Sequence, residues 1–257
     1  MYHSAADFQK FYHTREGFVI RRMIRSHIKI LGAGDAHGEV AGLGYSLPYL
    51  DLFEGRTERT YALMPSSIGA ASWPKSGPNL TALVHSAELP LPANSLDVAL
   101  GVHFLEFAEY PEAVLQEIWR VLKPTGKLIL IVPNRTGLWA RSEWSPFGHG
   151  KPFSLTQLQD DLSEAQFVTE TIRPALFMPP LKWRWMLKAA WSFEQAGNIL
   201  FPGVSGLHCV TAVKQLYAPA SPPKGRAIRV AGTAAADLKP AASSLAAPLN
   251  HRKVTKA

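Results

Sequence analysis

From Phe18 to Leu31 the apolar residues recur at helical spacing. Phe18, Ile20, Met23, Ile24, Ile28 and Leu31 share one broad side, while Arg21, Arg22, Arg25 and Lys29 lie mostly on the other. An amphipathic helix is predicted there. Past Gly38 the pattern changes to short β-rich runs: EVAGLG, RTYALM, LTALVH, SLDVALGV and KLILIVP. The last is almost wholly apolar, as a strand buried on both faces should be.

Between the fourth and fifth runs, Ala113, Val114, Ile118, Val121 and Leu122 form a helical stripe that Pro124 and Gly126 end. This is strand, crossover helix, strand. SLTQLQDDLSEAQF predicts a helix opened by Ser154 with Leu155, Leu158 and Leu162 inward, and KWRWMLKAAWSFEQA predicts another. GLHCVTAVKQLY is a closing strand, for which an antiparallel direction is open. The expected fold is α/β: a doubly wound, mostly parallel sheet. Its predicted parts are an N-terminal helical extension (1–32), a sheet domain (33–217, with a helical insertion at about 178–200) and a tail (218–257).

Charge changes the picture only at the tail. After Ala218, seven Lys and Arg residues stand against Asp237 alone, so this stretch carries +6 of the formal +7. It is rich in Ala, Pro and Ser and lacks apolar periodicity, so it is expected to stay unstructured. Its basic charge allows weak contact with nucleic acid or an anionic surface. The single cysteine, Cys209, excludes an internal disulfide and a multi-cysteine metal site; in LHCVTAV it is expected as a buried strand residue. No metal is expected. No apolar run approaches a membrane span of ~18 residues, and a cytoplasmic location is expected.

The first strand-to-helix turn of an open α/β sheet is where ligands bind. Here it contains Gly42, Gly44, Tyr45 and Ser46. Ser46 is expected to cap the following helix, whose first turn accepts Pro48. The third glycine of a G-x-G-x-x-G fingerprint is missing and no acid ends the next strand, where Met64 stands, so the pattern does not favour a dehydrogenase. By itself the Gly-x-Gly also fits a tight turn with no ligand.

HSAELPLPANSLDVALGVHFLEFAEYPEAVLQEIWRVLKPTGKLILIVPN is more specific. It resembles the class I S-adenosylmethionine-dependent methyltransferases of the small-molecule type: Ser86-Ala87-Glu88-Leu89-Pro90, Asn94-Ser95-Leu96-Asp97-Val98, and Glu117, Arg120, Leu122, Lys123, Pro124 and Gly126 match its motifs in order. The resemblance implies a Rossmann-like methyltransferase fold with a seven-stranded sheet and S-adenosylmethionine as cofactor. It also implies cofactor contacts from Gly42, Gly44, Tyr45, Ser46, Met64, Ser86, Ala87, Glu88 and His103. The motifs are degenerate. Gly42 replaces the acid that ends the family's first strand, Ser46 and Pro48 replace its later glycines, Met64 replaces the ribose-binding acid, and Ser86 the acid facing adenine.

Methyl transfer needs alignment and desolvation more than a nucleophilic triad. His103, at the end of the fourth strand, is the candidate base, or else a pocket-shaping core histidine. Asn134 is placed to reach an acceptor or to form a turn. His149, between Gly148 and Gly150, belongs to a substrate lid or to an ordinary turn. Trp183, Met186, Leu187, Ala190 and Phe193 share a helical face that would grip an interface or pack on the sheet. Two functions stay open: a methyltransferase for an unknown small-molecule or protein acceptor, and a non-catalytic binding protein on the same fold.

Overall fold

The computed structural model describes residues 4–180, 187, 189–200, 202–215 and 229–230. Two helices, α1 (Ala5–Tyr12) and α2 (Arg15–Ile30), precede the sheet. Thr14 opens α2 by accepting from Gly17 N–H, and a side chain at Gly17 would collide with the Phe11 carbonyl. The corner between the helices is therefore as tight as glycine allows. The predicted helix is present, but Phe18 is exposed rather than inward, because α1 turns off just before it. α1 itself is an element the periodicity reading left unassigned.

The strands are β1 (Glu39–Gly44), β2 (Arg59–Pro65), β3 (Thr81–Val84), β4 (Leu96–Val102), β5 (Leu122–Pro133), β6 (Phe167–Ala175), β7 (Leu207–Lys214) and β8 (Arg229–Val230). They lie in the order β3-β2-β1-β4-β5-β7-β6-β8. β1 through β5 pair in parallel, whereas β7 is antiparallel to both β5 and β6. This is the expected methyltransferase-type sheet of seven strands, lengthened by the two-residue β8 beside β6. β8 falls inside the stretch expected to lack structure; the rest of 216–257 lies outside the described residues.

Alternation along the strands feeds two apolar layers. Val98, Leu100, Val102, Ile129 and Ile131 face α1, α2 and α5 (Ala190–Leu200). Leu96, Ala99, Leu128, Leu130 and Val132 face α3 (Pro111–Val121) and α4 (Leu155–Glu164). In α3 the buried stripe is Val114, Leu115, Ile118 and Val121; Ala113 is exposed, contrary to expectation, because Leu115 takes the inward place. Ser154 caps α4 as predicted, accepting from Gln157 N–H. Trp183 and Met186 lie outside the described residues.

The motif residues bind the scaffold together. Glu117 accepts from Leu89 N–H and pairs with Arg120, which also donates to the Leu89 and Leu91 carbonyls. Burial pushes the Glu117 carboxyl up, but Arg120 and that N–H more than offset it and hold it below the usual range. Asp97 accepts from Glu39 N–H at 2.8 Å and from Lys123 Nζ at 2.6 Å, tying the starts of β1 and β4 to the start of β5. Among the described residues no helix is long and apolar enough to cross a membrane, and no group of His, Cys, Asp and Glu is placed to hold a metal.

Candidate functional site

Strand order reverses between β1 and β4, and their tips meet at Gly44 and Val102. Gly44 has φ +70°, and a Cβ there would lie 2.6 Å from the Val102 and His103 carbonyls. The crossing of the β4 tip by itself requires glycine here. His103 follows in a left-handed conformation, φ +49°, uncommon for a residue with a side chain. That turn drives its ring inward, where it is 1% exposed.

There His103 Nε2 is 2.7 Å from the Tyr12 hydroxyl, and Tyr49 donates to that same hydroxyl at 3.0 Å. With Tyr49 donating, Tyr12 gives its proton to Nε2, so the network assigns the ring proton to Nδ1. Nδ1 lies 3.3 Å from Glu106 Oε1, and Glu106 Oε2 accepts from Phe104 N–H. The Nδ1 to Glu106 alignment falls outside hydrogen-bond geometry, so the contact is an electrostatic one. Glu106 is fully buried. Burial pushes the Tyr12 hydroxyl well above its ordinary value, with Tyr49 adding to the effect, which keeps it a proton donor.

Aromatic rings close around this chain of groups. Phe8 stacks on Tyr45 at 5.1 Å and lies 4.9 Å from His103, while Phe147 meets the other side of His103 at 4.8 Å. Tyr12 lies nearly parallel to Tyr45, at 5.9 Å. Tyr12, Tyr49, Glu106 and Phe8 were missed as site residues. The spacing of Phe8, Phe11 and Tyr12, three and four apart, was the available signal for a helix face.

The remaining expected residues are scattered. A side chain at Gly42 would collide with Ser46 Oγ and Leu50, so the space of the family's acid is filled. Ser46 does not cap the Leu47–Leu52 turn; its backbone is helical and its hydroxyl is buried without a hydrogen-bond partner among the described residues. Met64 is fully buried and its sulfur accepts from Ala71 N–H at 3.4 Å. Ser86 and Ala87 are half-buried in a turn closed by a bridge between His85 and Glu88, and Glu88 is exposed. Asn134 spends its amide on Ser205 and Thr136, which makes it the turn former. His149 bonds the Glu143 carbonyl, and its flanking glycines allow close packing: side chains at Gly148 and Gly150 would meet the Ser142 and Glu106 carbonyls.

As arranged, the strand tips do not fit an adenosyl group. Of the three acid positions, 42 and 64 are apolar and 86 is a serine, and the rings of Phe8 and Tyr12 cover Tyr45 and His103. Open space lies on the outer side of Tyr45 instead. A cleft of about 590 Å³ runs between α1, the Leu47–Leu52 turn and the segment 71–76.

Residues 40–130 match the methyltransferase domain family. This stretch is similar to the methyltransferase domain. Its fold has solved counterparts: a Haloferax volcanii methyltransferase in complex with the Trm112 methyltransferase activator aligns with TM-score 0.57 and 15% identity over 83% of this chain and 98% of that one. A SAM-dependent methyltransferase from Archaeoglobus fulgidus gives 0.55 and 18%, over 80% and 97%. One from Thermotoga maritima gives 0.51 and 18%, over 82% and 99%. No curated protein matches the chain. The methyltransferase-domain match begins at β1 and ends in β5, so Phe8, Tyr12 and Phe147, which close the strand tips, lie outside it.

Proposed function

We propose that this protein is an S-adenosylmethionine-dependent methyltransferase acting on a small-molecule or protein acceptor. The observation that carries this reading is the match of residues 40–130 to the methyltransferase domain, which spans the switch point between β1 and β4. The groups that close the tips come from α1 and the 146–148 turn, segments added to that domain rather than part of it. His103 is the titratable group at the switch point. The chain's own contribution there is to exclude water and hold the His103 proton on Nδ1 beside Glu106.

The second reading, a non-catalytic binding protein, is favoured by the apolar replacements at 42 and 64. One experiment separates the two. The protein is purified under native conditions, denatured, and its released small molecules identified by mass spectrometry, followed by calorimetric titration with S-adenosylmethionine. Co-purified cofactor or its demethylated product, together with measurable binding, supports the enzyme. Neither one, with no heat at millimolar ligand, leaves the binding protein.

A further inference from the structure

α5 has an outer side that methyl transfer leaves unused. The helix carries one charged residue, Glu194, and that residue turns inward, where it accepts from His27 Nε2 and from the N–H groups of Leu176 and Phe177. Ala190 is buried, and Leu187 and Phe193 pack against the core. What faces outward is Trp191, Ser192, Gln195, Ala196 and Leu200, none of them charged. We propose that this face docks the protein on an anionic lipid surface, as a peripheral contact rather than a span. The proposal stands apart from the methyltransferase reading and needs neither cofactor nor acceptor.

The apolar patch continues past the helix. Trp191 is 41% exposed and Leu200 64%, and they stand near the two ends of α5, about 13 Å apart along its axis at 1.5 Å per residue. Val204 follows in the turn Pro202–Val204 and is half exposed. Leu138, also exposed, is held beside that turn: the Thr136 hydroxyl donates to the Gly203 carbonyl at 3.0 Å, the Asn134 amide donates to the Ser205 carbonyl at 2.8 Å, and a side chain at Gly137 would collide with Ser205. Single exposed apolar residues are ordinary, whereas a group gathered on one side marks an interaction surface.

Charge selects the occupant. In sequence, residues 178–206 hold Lys182, Arg184 and Lys188 against Glu194 alone, and Glu194 is the buried clamp. Residues 134–149 add Arg135 and Arg141, both exposed, against Glu143. The patch is thus apolar in the middle and basic in its flanking sequence. A second copy would set these cations against their own kind. A nucleic acid would use the cations and leave Leu138, Leu200 and Val204 in water. A lipid surface with anionic headgroups takes both, the apolar side chains at the acyl boundary and the cations at the headgroups.

Position gives the contact a direction. β5 ends at Pro133, just before Asn134 and Leu138, and it runs parallel to β4, so the patch lies at the sheet edge where β1 and β4 end at Gly44 and Val102. Docking therefore turns that edge toward the lipid.

The test uses the full chain and co-sedimentation with vesicles of phosphatidylcholine and phosphatidylglycerol in equal parts, or of phosphatidylcholine alone. The wild type should partition onto the anionic vesicles and far less onto the neutral ones. Trp191→Ser combined with Leu200→Ser should lower that partition at least ~10-fold, because two large side chains no longer leave water. Tyr110→Ser, which removes an exposed ring at the start of α3, should leave it unchanged. Circular dichroism checks that each variant is folded, and light scattering after gel filtration gives its oligomeric state. All variants keep the basic tail, so a double variant that binds as well as the wild type would assign the contact to the tail and overturn the proposal. Absence of binding by the wild type would overturn it too, and a dimer that the double variant splits would then make the patch an interface between copies.

Discussion

Tyr12 of α1 and His103 at the tip of β4, 91 residues apart, meet through a 2.7 Å hydrogen bond inside a fully buried ring cluster. The bond joins a helix that lies outside residues 40–130 to the switch point between β1 and β4. It also makes the closure of that place a specific contact rather than loose packing. Removing the hydroxyl leaves His103 Nε2 and Tyr49 without their partner. Tyr12→Phe should therefore lower stability by about 1–3 kcal/mol, read as a lower urea midpoint with an unchanged slope. An unchanged midpoint would show that the link adds no net stability.

Restoring the family's acid should harm this chain rather than help it. Gly42→Asp places atoms where Ser46 and Leu50 already sit. The expected result is a loss of about 1–3 kcal/mol from overpacking and no gain in affinity for S-adenosylmethionine, checked by thermal unfolding and calorimetry. Tighter cofactor binding in the variant would show that the loop relaxes to make room.

Glu194 of α5 is a second buried clamp. It accepts from His27 Nε2 at 2.9 Å and from the N–H groups of Leu176 and Phe177 at 2.9 and 3.0 Å, holding the turn after β6 against α2. Glu194→Ala strips all three donors at once. A loss of about 3 kcal/mol or more is expected, visible as a fall in the melting temperature. Glu194→Gln, which keeps an acceptor oxygen, should recover part of it.

His208 in β7 predicts an acid-sensitive fold. Burial lowers it from 6.5 to about 4, so between those values the unfolded chain binds a proton that the folded one refuses. Stability therefore rises with pH across that window and is lost as pH falls from about 6.5 toward 4. At about 1.4 kcal/mol per pH unit, the full loss from this group is about 3 kcal/mol. Denaturant midpoints taken at pH 7 and pH 4.5 for the wild type and His208→Leu should converge at the acid end if His208 carries the effect. A constant gap between the two proteins would assign it elsewhere.

Much of the scaffold was legible in the chain. β1 begins and ends where EVAGLG does, and Ser154 caps α4 as its position implied. Glu117, Arg120 and Asp97, recognised as motif residues, turn out to bind the loops between strands. The site was less legible. Gly42, Met64 and Ser86 announced that three acids were gone, but not that Ser46, Leu50 and Ala71 had taken over the surroundings of the first two.

Strand and helix boundaries follow from repeats of two and of about 3.6 residues, which depend on neighbours along the chain, so the amino-acid order alone determined the doubly wound sheet. Which rings cover His103, and that His27 meets a carboxylate 167 residues away, depend on how whole elements pack. Only the tertiary structure decided those contacts. A buried polar group takes the partner that packing delivers to it, and no local pattern records which one that will be.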